Sequence, residues 1–235
     1  IAILPQIYII YLSFRNSKGS LFGVGYSLVN YQSALKKKLV LASRNTLVMG
    51  IIALAVIIVI AVVLAYLVVR RNNALNHSLD TIAMLPYIMP GAVIGIALLI
   101  AYGSKPVALT GTMAIMIMSF AIRRMPYTIR SATATLMQIP ISIEEAAISL
   151  GASKLKTFVK ITVPMMSNGI LSGAILSWVA IVTELSSSVI LYSNKTTTLT
   201  MQAYIYIGRG EYGTAAAFAA ILTVITALSL FLYMA

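Results

Sequence analysis

Four stretches without a charged side chain dominate the pattern of this chain: Thr46 to Val69, Thr81 to Ser104, Ile161 to Thr183 and Tyr212 to Ala235. Crossing a hydrocarbon core takes about 20 consecutive apolar residues in a helix, so each run is long enough to span. Pro106 to Ile122 is shorter but within the range of a span, and Ile1 to Phe14 reads as the remaining end of one more. The pattern predicts an all-α, polytopic membrane helical bundle of about six transmembrane helices, with residues 1–235 forming a single transmembrane domain. The chain opens without methionine and stops inside an apolar run, so both ends read as truncated. The opening segment lacks a basic n-region and a small-residue cleavage site, and is expected to be a mature span and not a signal peptide.

Composition supports lipid as the solvent. Sixty per cent of the 235 residues are hydrophobic and 9% are charged, where a soluble domain has roughly a quarter charged. Seventeen Lys and Arg against five acids give a net charge of +12, which in a soluble protein would point to nucleic acid. Here most of the basic residues lie between apolar runs, where they meet lipid headgroups and fix orientation, so lipid is the expected partner and nucleic acid is not. The absence of cysteine excludes disulfides, thiolate chemistry and Cys-ligated metal.

Two arginine pairs, Arg70-Arg71 and Arg123-Arg124, close apolar runs as helices ending at a cytoplasmic face would. Alternating the spans from there puts residues 70–80 and 123–164 inside, and 15–45, Lys105 and the segment around Lys195 outside. Eight Lys and Arg then fall inside (Arg70, Arg71, Arg123, Arg124, Arg130, Lys154, Lys156, Lys160) and nine outside (Arg15, Lys18, Lys36, Lys37, Lys38, Arg44, Lys105, Lys195, Arg209). The positive-inside rule does not decide the orientation.

Two places depart from plain spanning helix. The third span carries Leu85-Pro86-Tyr87-Ile88-Met89-Pro90-Gly91. Proline removes a backbone bond and kinks a helix, which a membrane tolerates where the freed carbonyls face protein or water. Pro86 and Pro90 are therefore candidates for shaping a translocation path, against the alternative of packing geometry alone. Residues 123–164 form the one long polar stretch, with punctuation for two short helices joined by a bend. Ser142 and Glu145 have capping-box spacing. Gly151 suits the left-handed conformation that ends a helix, Ser153 can cap a second helix carrying Lys154, Lys156 and Lys160, and Pro164 is expected to stop it. Ala146 and Ala147 leave one face smooth for a partner.

In this segment the sequence resembles a known family. Glu145-Ala146-Ala147, three residues, Gly151, nine residues, Ile161, one residue, then Val163-Pro164 is similar to the EAA loop of binding-protein-dependent ABC importer permeases, with Val163 where leucine is usual. The resemblance implies the type I importer fold in a prokaryotic plasma (inner) membrane. It implies two permease halves, as a second half of a fused chain or a homo- or heterodimer, with two ABC ATPase subunits and a substrate-binding protein. It also implies that 123–164 is a cytoplasmic coupling loop, with Glu144, Glu145, Ala146, Ala147, Gly151 and Ser153 meeting the ATPase. No Gly-x-x-x-x-Gly-Lys-Ser/Thr loop occurs, so ATP and magnesium are expected on the partner, with no cofactor and no catalytic residue in this chain. The single His77 reads as a headgroup-level residue of the inner loop. The methionines, Met113, Met116 and Met118 among them, read as core packing and not a metal site.

Ionisable groups inside a span are costly and mark functional candidates. Glu184 is the clearest, expected near the outer end of the fifth helix, either lining the path together with Ser187 or paired with Arg209 or Arg15. The stretch Thr183-Glu184-Leu185-Ser186-Ser187-Ser188, then Leu191-Tyr192-Ser193, Thr198-Leu199-Thr200 and Gly210-Glu211-Tyr212-Gly213, resembles the ferric-iron group of these permeases. The resemblance implies ferric iron, with 2-aminoethylphosphonate, thiamine or sulfate as alternatives, and a buried carboxylate leans the same way by suiting a cation better than an anion. An ion-gradient-driven secondary transporter is more remote, since such proteins carry several charged residues within their spans.

Overall fold

The longest apolar run becomes the longest helix. The computed structural model describes residues 3–71 and 73–234, and its elements follow the chain in a regular order. Helix α1 (Leu4–Phe14) leads into a hairpin of β1 (Arg15–Lys18) and β2 (Leu21–Tyr26), then α2 (Val29–Lys36), α3 (Leu39–Arg70), α4 (Ala74–Ile88), α5 (Gly91–Tyr102) and α6 (Met113–Met137). After these come α7 (Ser142–Ser149), α8 (Lys154–Thr157), a π-helical turn at Phe158–Thr162, α9 (Val163–Met165), α10 (Ser167–Val182), α11 (Ser188–Leu191), α12 (Leu199–Gly208) and α13 (Tyr212–Met234).

Among the described residues, two helices are long and apolar enough to cross a bilayer alone, Leu39–Arg70 and Tyr212–Tyr233, and two broken pairs, α4 with α5 and Lys154–Met165 with Ser167–Val182, qualify together. The remaining two of the six expected spans correspond to α1, an apolar helix of 11 residues, and to α6, whose apolar run covers only its first half. A stripe at every fourth residue of α3, namely Met49, Ala53, Ile57, Ala61 and Ala65, is fully buried, while Val59 and Val63 are exposed as a lipid-facing surface requires.

The described residues fall into two compact units: 1–51, 91–119 and 181–235 form one, and 52–90 and 120–180 the other. The nine basic residues expected outside all belong to the first, and the eight expected inside to the second. The first unit is built on Leu39, Ala42, Leu199, Tyr206, Ala217 and Phe218, with the Tyr206 and Phe218 rings stacked at 5.6 Å. Asn45, fully buried on α3, donates to the carbonyls of Lys195 (2.8 Å) and Thr197 (3.0 Å) and so fixes the loop before α12. The second unit packs α6 against α10 through small residues. A Cβ on Gly173 would lie 2.6 Å from Thr128 Cα, and one on Gly169 would lie 1.9 Å from Thr135 Oγ1. Ser131 donates to the Gly169 carbonyl at 2.7 Å, and the Thr128 and Ser177 hydroxyls share a 2.8 Å bond. This is the glycine-every-fourth pattern by which membrane helices approach closely.

Three sequence expectations need correction here. The third apolar run is not one kinked helix: α4 ends at Ile88 and α5 starts at Gly91, because the Met89 backbone is extended ahead of Pro90, as a pre-proline residue prefers. The pair Arg123-Arg124 does not close a helix, since α6 runs on to Met137. Ile129, Ala132 and Leu136, at helical spacing and all fully buried, hold this second half down, and the stop comes at Pro140. His77 lies on an exposed turn of α4, not in a loop. Asn73 caps that helix by accepting from Asn76 N–H at 2.8 Å, so helix replaces most of the expected inner loop.

Candidate functional site

Because α6 persists to Met137, the bent element is shorter than 123–164: it runs from Gln138 to Met166, within the second unit. Its first helix, α7, starts without the expected capping box. The backbone is already helical at Ile141, which accepts from the amides of Glu144 (2.9 Å) and Glu145 (3.1 Å), so Ser142 sits inside the first turn with no capping bond. The end of α7 is as expected. Gly151 has φ +91°, its N–H donates to the Ile148 carbonyl (2.9 Å), and Ala152 N–H reaches back to Ala147 (3.0 Å). This pairing satisfies the last carbonyls of a helix around a left-handed residue.

Ser153 then caps α8, accepting from Lys156 N–H at 3.3 Å. Pro164 does not stop this second helix. It lacks the N–H that would bond Lys160, and the chain accommodates the gap with the π-helical turn just before it, in which Val163 N–H bonds Phe158. Pro164 thus falls in the first turn of α9, where a missing donor costs nothing. The chain bends by 65° at the fully buried Met166, where α10 begins.

The six residues expected to meet a partner divide into two groups. Glu145, Ala146, Gly151 and Ser153 are exposed and Ala147 is half-buried, in company with exposed apolar side chains at Ile148, Leu150 (90%) and Leu155 (73%). Glu144 is different. It is the one buried residue of α7, and its carboxylate accepts from Arg70 Nε at 2.8 Å and from the Tyr66 hydroxyl at 3.2 Å. Arg70 also donates from Nη2 to the Ile139 carbonyl at 2.9 Å, and the Tyr66 ring meets Phe158 edge-on at 4.7 Å. Beneath α7 lies a cluster of Val62, Ala65, Ala132, Leu136, Ile139 and Met166, with Ile143 and Phe158 packed on it. Sequence reasoning missed Tyr66 and read Arg70 only as a boundary charge; their spacing of four on one helix face was the available signal.

The expected path residues are not of one kind. Glu184 and Ser187 form a local cluster in the first unit, in a non-helical break between α10 and α11 and not within a helix. Glu184 is 2% exposed, and its Oε1 accepts from Ser187 N–H (3.1 Å), the Ser186 hydroxyl (3.1 Å) and the Ser187 hydroxyl (3.3 Å). The expected partners Arg15 and Arg209 lie instead over aromatic rings, Arg15 against Tyr11 and Tyr26 and Arg209 over Tyr206. Through its Oε1 bonds Glu184 ties down the turn that follows it. Its truncation, Glu184→Ala, is expected to cost about 1–3 kcal/mol by leaving buried donors unmet, and Glu184→Gln less, since its carbonyl still accepts; thermal unfolding in detergent ranks the two.

Pro86 and Pro90 belong to the second unit, Pro86 half-buried inside α4 and Pro90 exposed at its end. Beside Pro86 lies a mostly apolar cleft of about 510 Å³, lined by Met84, Tyr87, Ile88, Pro126, Tyr127 and Arg130, the last held to Asp80 at 3.1 Å.

The motifs of the finer resemblance also shape their local structure. Thr198 caps α12 by accepting from Met201 N–H at 3.3 Å. Gly210 is left-handed at the end of that helix (φ +74°), Glu211 pairs with Lys37, and a Cβ on Gly213 would lie 2.5 Å from Asn30 Oδ1.

Comparison with known proteins agrees with this architecture. A solved chain of the bacterial alginate ABC transporter, in complex with alginate pentasaccharide-bound periplasmic protein, superposes with a TM-score of 0.77 at 16% identity, covering 99% of this chain and 87% of that one. The ferric transport system permease protein FbpB of Actinobacillus pleuropneumoniae is 33% identical over 210 residues, 89% of this chain but 29% of its own length, so this chain spans less than a third of that relative. The putative 2-aminoethylphosphonate transport permease PhnV of Salmonella paratyphi A is 26% identical, over 96% of this chain and 85% of its own. Residues 57–235 match the family described as binding-protein-dependent transport system inner membrane component. With three quarters of its length matched, this multi-pass membrane chain belongs to that family of transport permeases.

Proposed function

We propose that this chain is the permease subunit of an ATP-driven importer of the prokaryotic inner membrane, moving ferric iron handed over by a substrate-binding protein. The observation that carries the transport mechanism is the exposed face of the bent element: Ala146, Ile148, Leu150 and Leu155 grouped around the Gly151 turn on a firmly packed base. Exposed apolar side chains on a fixed scaffold suit a protein partner. The sequence has no phosphate-binding loop of its own, so that partner is an ATPase, binding ATP and magnesium and present in two copies, with a second permease half completing the path.

Ferric iron is supported by likeness to the Actinobacillus permease. The second reading, 2-aminoethylphosphonate, is favoured by a match that extends over 85% of its relative.

Purification from the host membrane is expected to bring an ATPase with the chain. The double substitution Leu150→Asp with Leu155→Asp should lower its recovery about tenfold or more, the effect of removing central apolar anchors from an interface. Recovery of the chain alone would count against the whole assignment. Vesicles holding the complete transporter should accumulate radiolabelled ferric iron; accumulation of 2-aminoethylphosphonate in its place would establish the second reading.

A further inference from the structure

We infer that Arg70 and Tyr66 are positioning residues which, with Glu144, form the joint that carries movement of the coupling helix α7 into the spanning helix α3; this rests on the coupling role proposed above. The two α3 residues are one turn apart on the same face, and between them they hold all three parts of the bent element. Arg70 Nη2 bonds the Ile139 carbonyl in the linker before α7, at 2.9 Å. Arg70 Nε and the Tyr66 hydroxyl each take one oxygen of Glu144 in α7 itself, at 2.8 and 3.2 Å. The Tyr66 ring meets Phe158 in the return arm at 4.7 Å. The Arg70 and Glu144 side chains are each 9% exposed.

The other connection is less direct. Beyond Gly151 the return arm consists of a four-residue helix, a π turn and a 65° bend before it joins α10. A buried ion pair adds little net stability over an apolar pair of similar volume. What it adds here is a fixed direction, because both carboxylate oxygens are held by groups on one rigid helix. Arg70 also stands in the last turn of α3, where a cation is favoured by the helix dipole.

The experiment uses the complete transporter, permease halves and ATPase together, in lipid vesicles, with ATP and the cognate binding protein as purified. Arg70→Met alone would strand a buried carboxylate and put the fold at risk, so the variants are the double replacement Arg70→Met with Glu144→Leu, and Tyr66→Phe, which keeps the ring against Phe158. The readout is hydrolysis with binding protein divided by hydrolysis without it. The double variant is expected to lose about tenfold of that ratio and Tyr66→Phe about threefold, within the range over which coupling networks respond to substitution. A ratio within twofold of the unmodified transporter in both variants would overturn the joint. An unmodified chain that fails to recruit any ATPase is a different result, and fells the coupling role itself.

Discussion

Gly151→Asp is expected to cut uptake about tenfold or more while leaving the protein inserted in normal amount. The residue stands at φ +91°, where an L side chain is strained, and a Cβ there would meet nothing within 4 Å. The cost is therefore conformational, about 1–3 kcal/mol, and it falls on the turn between α7 and α8 and not on the core. The aspartate also sets a charge among Ala146, Ile148 and Leu150, where a partner surface must come close. Uptake should fall by about tenfold or more, since each 1.4 kcal/mol is a factor of ten in a coupled equilibrium. Asparagine has similar volume, tolerates left-handed backbone better and carries no charge, so Gly151→Asn should keep more uptake than the aspartate. Uptake assays beside immunoblots of the membrane fraction separate lost coupling from lost protein.

Gly173→Ala is expected to do the reverse, removing the protein from the membrane. One added carbon would lie 2.6 Å from Thr128 Cα and 2.9 Å from Ser131 Cβ, so backbone must move for it to fit. Separating α6 from α10 would also stretch the Thr128–Ser177 and Ser131–Gly169 bonds. Overpacking of this kind costs about 1–3 kcal/mol before the lost bonds are counted. Gly208→Ala is the control, because a Cβ there meets nothing within 4 Å. Yield and melting temperature in detergent should drop for the first and stay level for the second.

The contrast between these glycines shows what the sequence could and could not reveal. Gly151 was legible because a left-handed helix end leaves a local signature: a polar run, a glycine and a capping serine two residues later. Gly173 was not, because its constraint comes from a helix some 45 residues away in the chain, and nothing in a span's composition says which face meets a neighbour. The apolar runs were legible for the same local reason, since hydropathy alone dictates them. Their ends were less so. The Arg123-Arg124 pair looked like a boundary, yet an arginine does not interrupt a helical backbone, and the buried spacing of Ile129, Ala132 and Leu136 carries α6 onward.

Glu144 is the most instructive residue of the site. In the sequence it stands beside Glu145 as a matching acid, and both were expected on the partner's side. The structure separates them by the helical rotation of one residue: Glu145 is exposed, while Glu144 turns under α7 to Arg70, 74 positions away. Glu184 followed the opposite course. Its lone charge in an apolar setting suggested a path residue, and the serines that follow it also give one carboxylate oxygen its donors, which ties the turn to it.

Because the chain contains no cysteine, one introduced thiol reports its own surroundings without interference. Leu150→Cys, at the most exposed apolar position of the bent element, should react with a membrane-impermeant maleimide in inside-out vesicles, and bound ATPase should block the reaction. Labelling only from the opposite face of the membrane, or labelling that ATPase leaves unchanged, would contradict a coupling role for this element.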